Sequence, residues 1–169
     1  MFILGHIGIT LGTFYILNRL SSKKNFLVNV PWIVIGALLP DLIDKPLGRI
    51  ILADTIGSGR IFAHTLLFGL LLILAGYYLY NKGKPELLII AGASFCHLLE
   101  DQVWNKPVVF LWPLFGWEFP KDTISGSFLD YLMIIFTRSY IPGLSNVFIS
   151  EVIGLLIIVF TTCKILKKT

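Results

Sequence analysis

The sequence predicts an all-α protein: a polytopic integral membrane helical bundle of about five transmembrane helices with a short interfacial helix. Hydrophobic residues make up 56% of the 169 residues, and the mean hydropathy is +0.81, which is typical of membrane proteins. The basic residues cluster at the ends of long apolar segments, as they do in cytoplasmic loops of membrane proteins. A chain of this length is expected to form one integral membrane domain over residues 1–169.

Five segments are apolar enough to be predicted as membrane spans, each of which needs about 20 residues. The second is the weakest, because Pro31 and Pro40 interrupt its regular helix, and a re-entrant segment is the alternative there. The segment 128–141 is shorter than a membrane span and includes Asp130 and Arg138, so we expect an interfacial helix. The predicted spans are 2–17, 26–43, 61–80, 87–103 and 147–166.

The distribution of basic residues predicts the orientation. Placing the three basic clusters in the cytoplasm puts the N-terminus outside and the C-terminus inside a multi-pass protein of the cell membrane. The inner side then carries eight Lys or Arg with one acid, and the outer side carries six with nine acids. The net charge of +4 does not form one basic face, so no nucleic-acid partner is expected. The clusters are Arg19/Lys23/Lys24, Lys82/Lys84 and Lys164/Lys167/Lys168.

Ionisable residues recur near the predicted outer ends of the spans. In SFCHLLEDQVW, His97 and Asp101 are four residues apart, so they share a helix face that Glu100 borders. In LLPDLID, Asp41 and Asp44 repeat the pattern at a spacing of three. Such residues within a membrane cost about 2.5–3.5 kcal/mol each at its centre and are normally functional. The sequence therefore predicts one polar site in the outer layer of the bundle.

Two further elements bring polar residues to this layer. Arg60 and His64 are four apart at the start of the third predicted span, where one helix face would carry both. His6 lies near the outer end of the first span, where helix packing is the alternative role. Asp41 and Asp44 also suit a helix cap.

Histidine nitrogens and carboxylate oxygens are ligands of zinc, manganese and iron, and no thiolate pair lies nearby. Zinc is the preferred ion. Up to three histidines and three aspartates exceed the needs of one tetrahedral ion, so we expect one or two ions. The candidate metal ligands are His6, Asp41, Asp44, His64, His97 and Asp101.

Several short motifs resemble a known family. GALLPDLID at 36–44, GRIFAHTLLFG at 59–69, and HLLED followed by FLWPLFG at 110–116 resemble the YdjM-like family of membrane-bound metal-dependent hydrolases. His6 stands where that family has its early histidine. The resemblance covers about residues 1–120, which would hold the metal site, and residues 128–166 would add the interfacial helix and the last span.

The order of the ligand types is also similar to that of zinc-dependent phospholipase C. That likeness implies the same histidines with Asp41 or Asp44 and Asp101 as ligands. No histidine follows His97, so a later ligand for a third metal would have to be Glu118 or Asp122.

The residues and the resemblance together predict a hydrolase of phosphoesters or other lipid-borne esters, with a membrane lipid or lipid-like substrate. A bound metal ion activates water and polarises a phosphoryl or carbonyl oxygen. Asp44 or Glu100 is the candidate proton acceptor. Arg60 is the candidate contact to a phosphate, unless it pairs with Asp41 or Asp44 instead.

Residues 104–119 hold six aromatic side chains, which predict a membrane-interface belt or a lid over the site.

Two other classes of function stay open. Intramembrane histidines and aspartates also form paths for metal ions or protons in transporters and channels. The inner, cytoplasmic halves of the predicted spans, however, offer no polar groups that would continue such a path. A non-catalytic scaffold tied together by a structural metal is the second alternative. The oligomeric state is not predicted.

Overall fold

The computed structural model describes residues 2–21, 29–121, 128–143 and 145–166, and all regular structure within these residues is helical. The all-α prediction is therefore confirmed. The α-helices are α1 (Ile3–Leu20), α2 (Val30–Pro46), α3 (Leu66–Tyr80), α4 (Glu86–Glu100), α5 (Pro107–Phe110), α6 (Phe128–Tyr140) and α7 (Asn146–Leu166). A π-helical turn covers Leu47–Ile51, and 3-10 turns cover Phe62–His64 and Val103–Asn105.

Helices α1, α2, α3, α4 and α7 form the bundle. Helix α1 packs along α7, and α4 packs against both α2 and α3. The polypeptide reverses direction between successive helices from α1 to α4, while α7 runs parallel to α1. One end of the bundle, called the site end below, is therefore where α1, α3 and α7 begin and where α2 and α4 end.

Glycines allow the helices to approach closely. A Cβ atom on Gly8 of α1 would overlap the carbonyl oxygen of Gly154 in α7, and one on Gly36 of α2 would lie 2.5 Å from the carbonyl oxygen of Ile90 in α4. Small residues serve this purpose in membrane helix bundles, where packing provides much of the association energy. Two of the main helix pairs thus depend on positions without a side chain.

A carboxylate on α7 anchors the start of α1. Glu151 is 2% exposed and accepts hydrogen bonds from the backbone N–H groups of Phe2, Leu4 and Gly5 at 2.8, 2.9 and 3.1 Å. The first N–H groups of a helix lack partners within it, so an acceptor from another helix takes the place of a local cap. This contact fixes the turn of α1 that precedes His6.

The five predicted spans are not confirmed. Among the described helices, α7 is the one that is long and apolar enough to cross a bilayer, over Asn146–Lys164, with a mean hydropathy of 2.0. Helix α3 is apolar but has 15 residues, and α4 also has 15. Helices α3 and α4 are shorter than the spans predicted at 61–80 and 87–103, because residues 61–65 and 101–103 belong to turns and helix ends.

The prediction that Arg60 and His64 share a helix face is wrong. The hydroxyl of Thr65 accepts a hydrogen bond from the N–H of Phe68 and so caps α3, which begins after His64. The backbone N–H groups of Ile61, Ala63 and His64 bond instead to the carboxylate of Asp44, and His64 lies in a 3-10 turn.

Helix α2 continues through Pro40 and ends at Pro46, so Asp41 and Asp44 lie within a helix and do not cap one. Helix α6 forms close to its predicted position and packs against α7, while its interfacial location stays a prediction. Several predicted features fall outside the described residues: 26–28 of the second span, Lys23, Lys24, Asp122, Lys167 and Lys168.

The glycine contact between α1 and α7 gives a testable prediction. We expect Gly8→Ala to destabilise the protein by about 1–3 kcal/mol, because the added methyl group overlaps backbone that cannot rotate away. The melting temperature in detergent should fall by about 2–4 °C for each kcal/mol. Gly69→Ala in α3 is the matched control, since its Cβ would meet no atom within 4 Å. Equal melting temperatures for the two variants would contradict the close packing.

Candidate metal centre

Three histidines from three elements meet at the site end. His6 lies in the first turns of α1, His97 in the last turn of α4, and His64 in the 3-10 turn before α3. The rings of His6 and His97 are stacked with centroids 3.9 Å apart, and those of His64 and His97 are 5.3 Å apart. All three side chains are at most 1% exposed. The predicted convergence of the histidines in one layer agrees with this arrangement.

Each histidine uses its Nδ1 atom for a hydrogen bond within the protein. His97 Nδ1 donates to the carbonyl oxygen of Ala37 at 2.7 Å. His64 Nδ1 lies 2.7 Å from Asp44 Oδ2, and His6 Nδ1 lies 2.7 Å from Glu100 Oε2. Because a carbonyl or an ionised carboxylate can only accept, each Nδ1 carries a proton. In the neutral form of each ring, Nε2 then carries the lone pair.

The three Nε2 atoms are buried and make no hydrogen bond with the described residues. They face two carboxylates. Asp41 Oδ1 is 3.7 Å from the Nε2 of His64 and 3.9 Å from that of His97. Asp101 approaches the Nε2 of His6 with Oδ1 at 3.4 Å and that of His64 with Oδ2 at 3.9 Å. Buried polar atoms are normally paired, so three such nitrogens at one place indicate a missing partner.

These atoms form two overlapping groups that are able to hold a metal ion. One group is His6, Asp41 and His97, and the other is His64, His97 and Asp101, with the ligand atoms of each group within 4.8 Å of one another. At bond lengths of about 2.0–2.2 Å, two ligands of one zinc ion lie at most about 4.4 Å apart. The donor set and spacing therefore fit a transition metal with small adjustments of the side chains.

Asp44 is not part of either group. Its Oδ2 accepts from the N–H groups of Ile61 and His64 at 2.7 and 3.1 Å as well as from the His64 ring, and its Oδ1 accepts from the N–H of Ala63 at 2.9 Å. The carboxylate is fully buried. Asp44 thus holds the 3-10 turn and the ring of His64 in place, although the sequence suggested a ligand or a proton acceptor.

Glu100 also lies behind a histidine. Its two oxygens contact His6 Nδ1 and accept from the hydroxyl of Thr10 at 2.9 Å, and its side chain is 8% exposed. The sequence suggested a proton acceptor at this position. Thr10 was not predicted, although its spacing of four from His6 on one helix face is a signal that could have found it.

Cations neutralise the two carboxylates of the centre. Arg60 binds Asp101 Oδ2 through Nε at 2.8 Å and Nη2 at 2.6 Å, so its partner is neither Asp41 nor Asp44. Burial opposes the charge of Arg60, but the Asp101 carboxylate raises its pKa above the ordinary value. Lys45 pairs with Asp41 one turn further along α2. Lys45 was not among the predicted site residues.

The aromatic segment packs beside the turn that carries His64. The ring of Phe62 makes edge contacts with Trp112 and Phe119 at centroid distances of 5.4 and 5.1 Å, whereas Trp117 is 76% exposed. Glu118, the suggested later ligand, is exposed to solvent. The segment therefore has an inner part against the site and an exposed apolar tip, as either a belt or a lid would.

Comparison with known proteins agrees with the membrane character of the chain. The family model described as YdjM inner membrane protein matches residues 1–168. No curated protein and no solved structure matches the chain. The family's description supports a location in the cell membrane. On this match over nearly its whole length, the chain belongs to the YdjM inner membrane protein family.

Proposed function

We propose that this protein is a membrane-embedded metal-dependent hydrolase of phosphoesters or other lipid-borne esters. The observation that carries the proposal is the set of three buried Nε2 atoms without hydrogen bonds, aimed at two carboxylates. Zinc is the preferred ion, and one or two ions would fit because His97 is common to both ligand groups. The proposed ligands are His6, Asp41, His64, His97 and Asp101.

The residues behind the ligands support a metal role. A histidine that binds metal through one nitrogen usually donates the other N–H to a carboxylate or carbonyl, which fixes the ring. All three histidines have such a partner: Glu100, Asp44 and the carbonyl of Ala37. We therefore assign Asp44 and Glu100 as positioning residues, in place of the ligand or proton-acceptor roles suggested by the sequence.

A bound metal ion would supply an activated water and polarise the oxygen of a substrate ester. Within the chain, Asp41 and Asp101 are the carboxylates beside the Nε2 atoms, so the candidate proton acceptor is the oxygen of either carboxylate that does not bind the metal. Arg60 holds Asp101 and keeps about a third of its side chain exposed, so its guanidinium is available to an anionic oxygen from the outer side. This retains the phosphate contact suggested for Arg60.

An apolar pocket beside the centre supports a lipid-like substrate. A cavity of about 200 Å³ lies between α1, α2 and α6, with Asp41 and Lys45 among its walls. The other lining residues are hydrophobic or proline, so a hydrocarbon chain would find an apolar surface next to a proposed ligand. The apolar walls include Phe2, Leu38, Leu42, Phe128 and Leu132.

The distribution of buried polar groups favours a hydrolase over an ion path. Among the described residues, the buried polar side chains cluster at or towards the site end. Thr161 is the exception in the other half of the bundle, and its hydroxyl donates to carbonyls of its own helix. A path for protons or metal ions needs polar groups across the whole membrane. Such a continuation is not found in the described part of the chain.

The charge distribution supports an extracytoplasmic site in a multi-pass protein. Arg19 ends α1, Lys82 and Lys84 lie in the turn between α3 and α4, and Lys164 lies near the end of α7. All four are at the end of the bundle opposite the site end. Counted along the sequence with Lys23, Lys24, Lys167 and Lys168, eight Lys or Arg belong to this end and six to the site end, so by the positive-inside rule we infer that this end faces the cytoplasm, with the N-terminus and the metal centre outside and the C-terminus inside.

The enzyme proposal is tested by metal content and lipid hydrolysis together. We expect wild-type protein in mild detergent to hold one or two equivalents of a transition metal and to hydrolyse a lipid phosphoester in mixed micelles. Asp101→Asn should lose metal and at least about 100-fold of the activity, because it removes a charged ligand. Elemental mass spectrometry and product release are the measurements.

Asp54→Asn is the matched control for that substitution, since Asp54 is an exposed loop residue. Metal-loaded protein that cleaves no phosphoester and no carboxylic ester would contradict the hydrolase and leave a structural metal. Folded protein that binds no metal, even after reloading, would contradict the whole proposal.

The positioning role of Asp44 gives a separate prediction. Asp44→Asn places an NH₂ group against backbone N–H donors in a fully buried site, so we expect a loss of stability of about 1–3 kcal/mol or more. Metal affinity should fall about 10- to 100-fold, as it does when the partner of a ligating histidine is removed. A metal titration and a melting curve measure both. Unchanged affinity in a folded variant would contradict the role.

A further inference from the structure

A second cavity beside the centre is lined by cations. It has a volume of about 270 Å³, and its walls include the side chains of Arg60, Lys106 and Lys121. The remaining lining residues are Ser58, Val108, Val109 and Pro120, so no acid lines it among the described residues. Lys106 and Lys121 are exposed and form no salt bridge with another described residue. Neither lysine is used by the proposed ligand set.

Arg60 connects this cavity to the metal centre. Its Nε and Nη2 atoms bind Asp101 Oδ2, and the same side chain forms part of the cavity wall. Asp101 belongs to the ligand group that contains His64 and His97. A group bound in the cavity would therefore contact Arg60, whose guanidinium binds the proposed ligand Asp101. The apolar pocket next to Asp41 has a different set of lining residues.

The charge of the cavity indicates the class of its occupant. Asp101 already balances Arg60, so Lys106 and Lys121 contribute two positive charges without a described counterion. A phosphate monoester carries a charge of about −1.5 to −2 at pH 7, which these two lysines match. The phosphodiester of an ordinary lipid headgroup carries a single negative charge and would leave one lysine unbalanced.

We propose that the cavity lined by Arg60, Lys106 and Lys121 binds a terminal phosphate group of the substrate. This inference rests on the proposed function, since it places the anion beside that site. It narrows the substrate class to molecules that carry a phosphate monoester, either as a lipid headgroup or on a water-soluble compound. Lys106 and Lys121 then determine specificity, and the apolar pocket takes a hydrocarbon chain where the substrate has one.

The test measures binding of inorganic phosphate to the purified full-length protein in a neutral detergent by isothermal titration calorimetry. We compare Lys106→Gln/Lys121→Gln with Lys82→Gln/Lys84→Gln, which removes the same charge from exposed positions at the opposite end. The first variant should bind phosphate about tenfold more weakly, and the second should match the wild type. Higher salt should weaken wild-type binding, because exposed charges are screened.

Equal phosphate affinity in both double variants, or no phosphate binding by the wild type, would overturn the inference. Metal content is measured in the same samples. Intact metal with no effect of Lys106 and Lys121 would refute the anion cavity and leave the hydrolase proposal standing. Lysine-dependent phosphate binding in protein without metal would support the cavity and contradict the metal proposal.

The source of the phosphate is resolved by competition. Mixed micelles of phosphatidic acid supply a lipid phosphate monoester, phosphatidylcholine supplies a diester, and glycerol phosphate supplies a soluble monoester. Displacement of inorganic phosphate by phosphatidic acid but not by phosphatidylcholine supports a lipid headgroup. Displacement by glycerol phosphate alone supports a soluble substrate. Displacement by phosphatidylcholine as strongly as by phosphatidic acid would contradict selectivity for a monoester.

Discussion

The hydrogen bonds from the three histidine Nδ1 atoms are the interactions on which the site depends. Each bond fixes a buried ring and leaves its Nε2 lone pair directed at the carboxylates of Asp41 and Asp101. Burying an unpaired polar atom costs free energy, and here the cost arises three times in one place. A metal ion would remove that cost, because the lone pairs would become ligand bonds.

The bundle provides the scaffold for these bonds. Alternation of helix direction brings the start of α1 and the ends of α2 and α4 to one layer, and Glu151 on α7 fixes the first turn of α1. Asp44 ties α2 to the turn before α3 and so places His64. The glycine contacts allow the backbones to approach closely enough for these short side chains to meet. Fold and site are therefore built from the same contacts.

The helices and most of the polar residues of the site could be predicted from the sequence, because the patterns that indicate them lie within short segments. Apolar segments with basic ends predict helices, and the pairs at His97/Asp101 and Asp41/Asp44 predict polar faces at one level. The start of α3 was missed because a distant carboxylate, Asp44, holds the backbone of residues 61–64 in a turn. Glu151 was missed for the same reason, since its backbone partners at the start of α1 are 146–149 residues away. The sequence also could not separate the proposed ligands Asp41 and Asp101 from the positioning residues Asp44 and Glu100, because that distinction depends on contacts between distant segments.

X-ray absorption at the K edge of the bound metal, on protein purified in mild detergent, is the most direct test of the metal centre. We expect a coordination shell of nitrogen and oxygen at about 2.0–2.2 Å, with the multiple scattering of at least two imidazoles and no sulfur. His97→Ala should reduce the imidazole signal, since His97 belongs to both ligand groups. A shell containing sulfur, a shell without imidazole, or folded protein that takes up no metal would contradict the account.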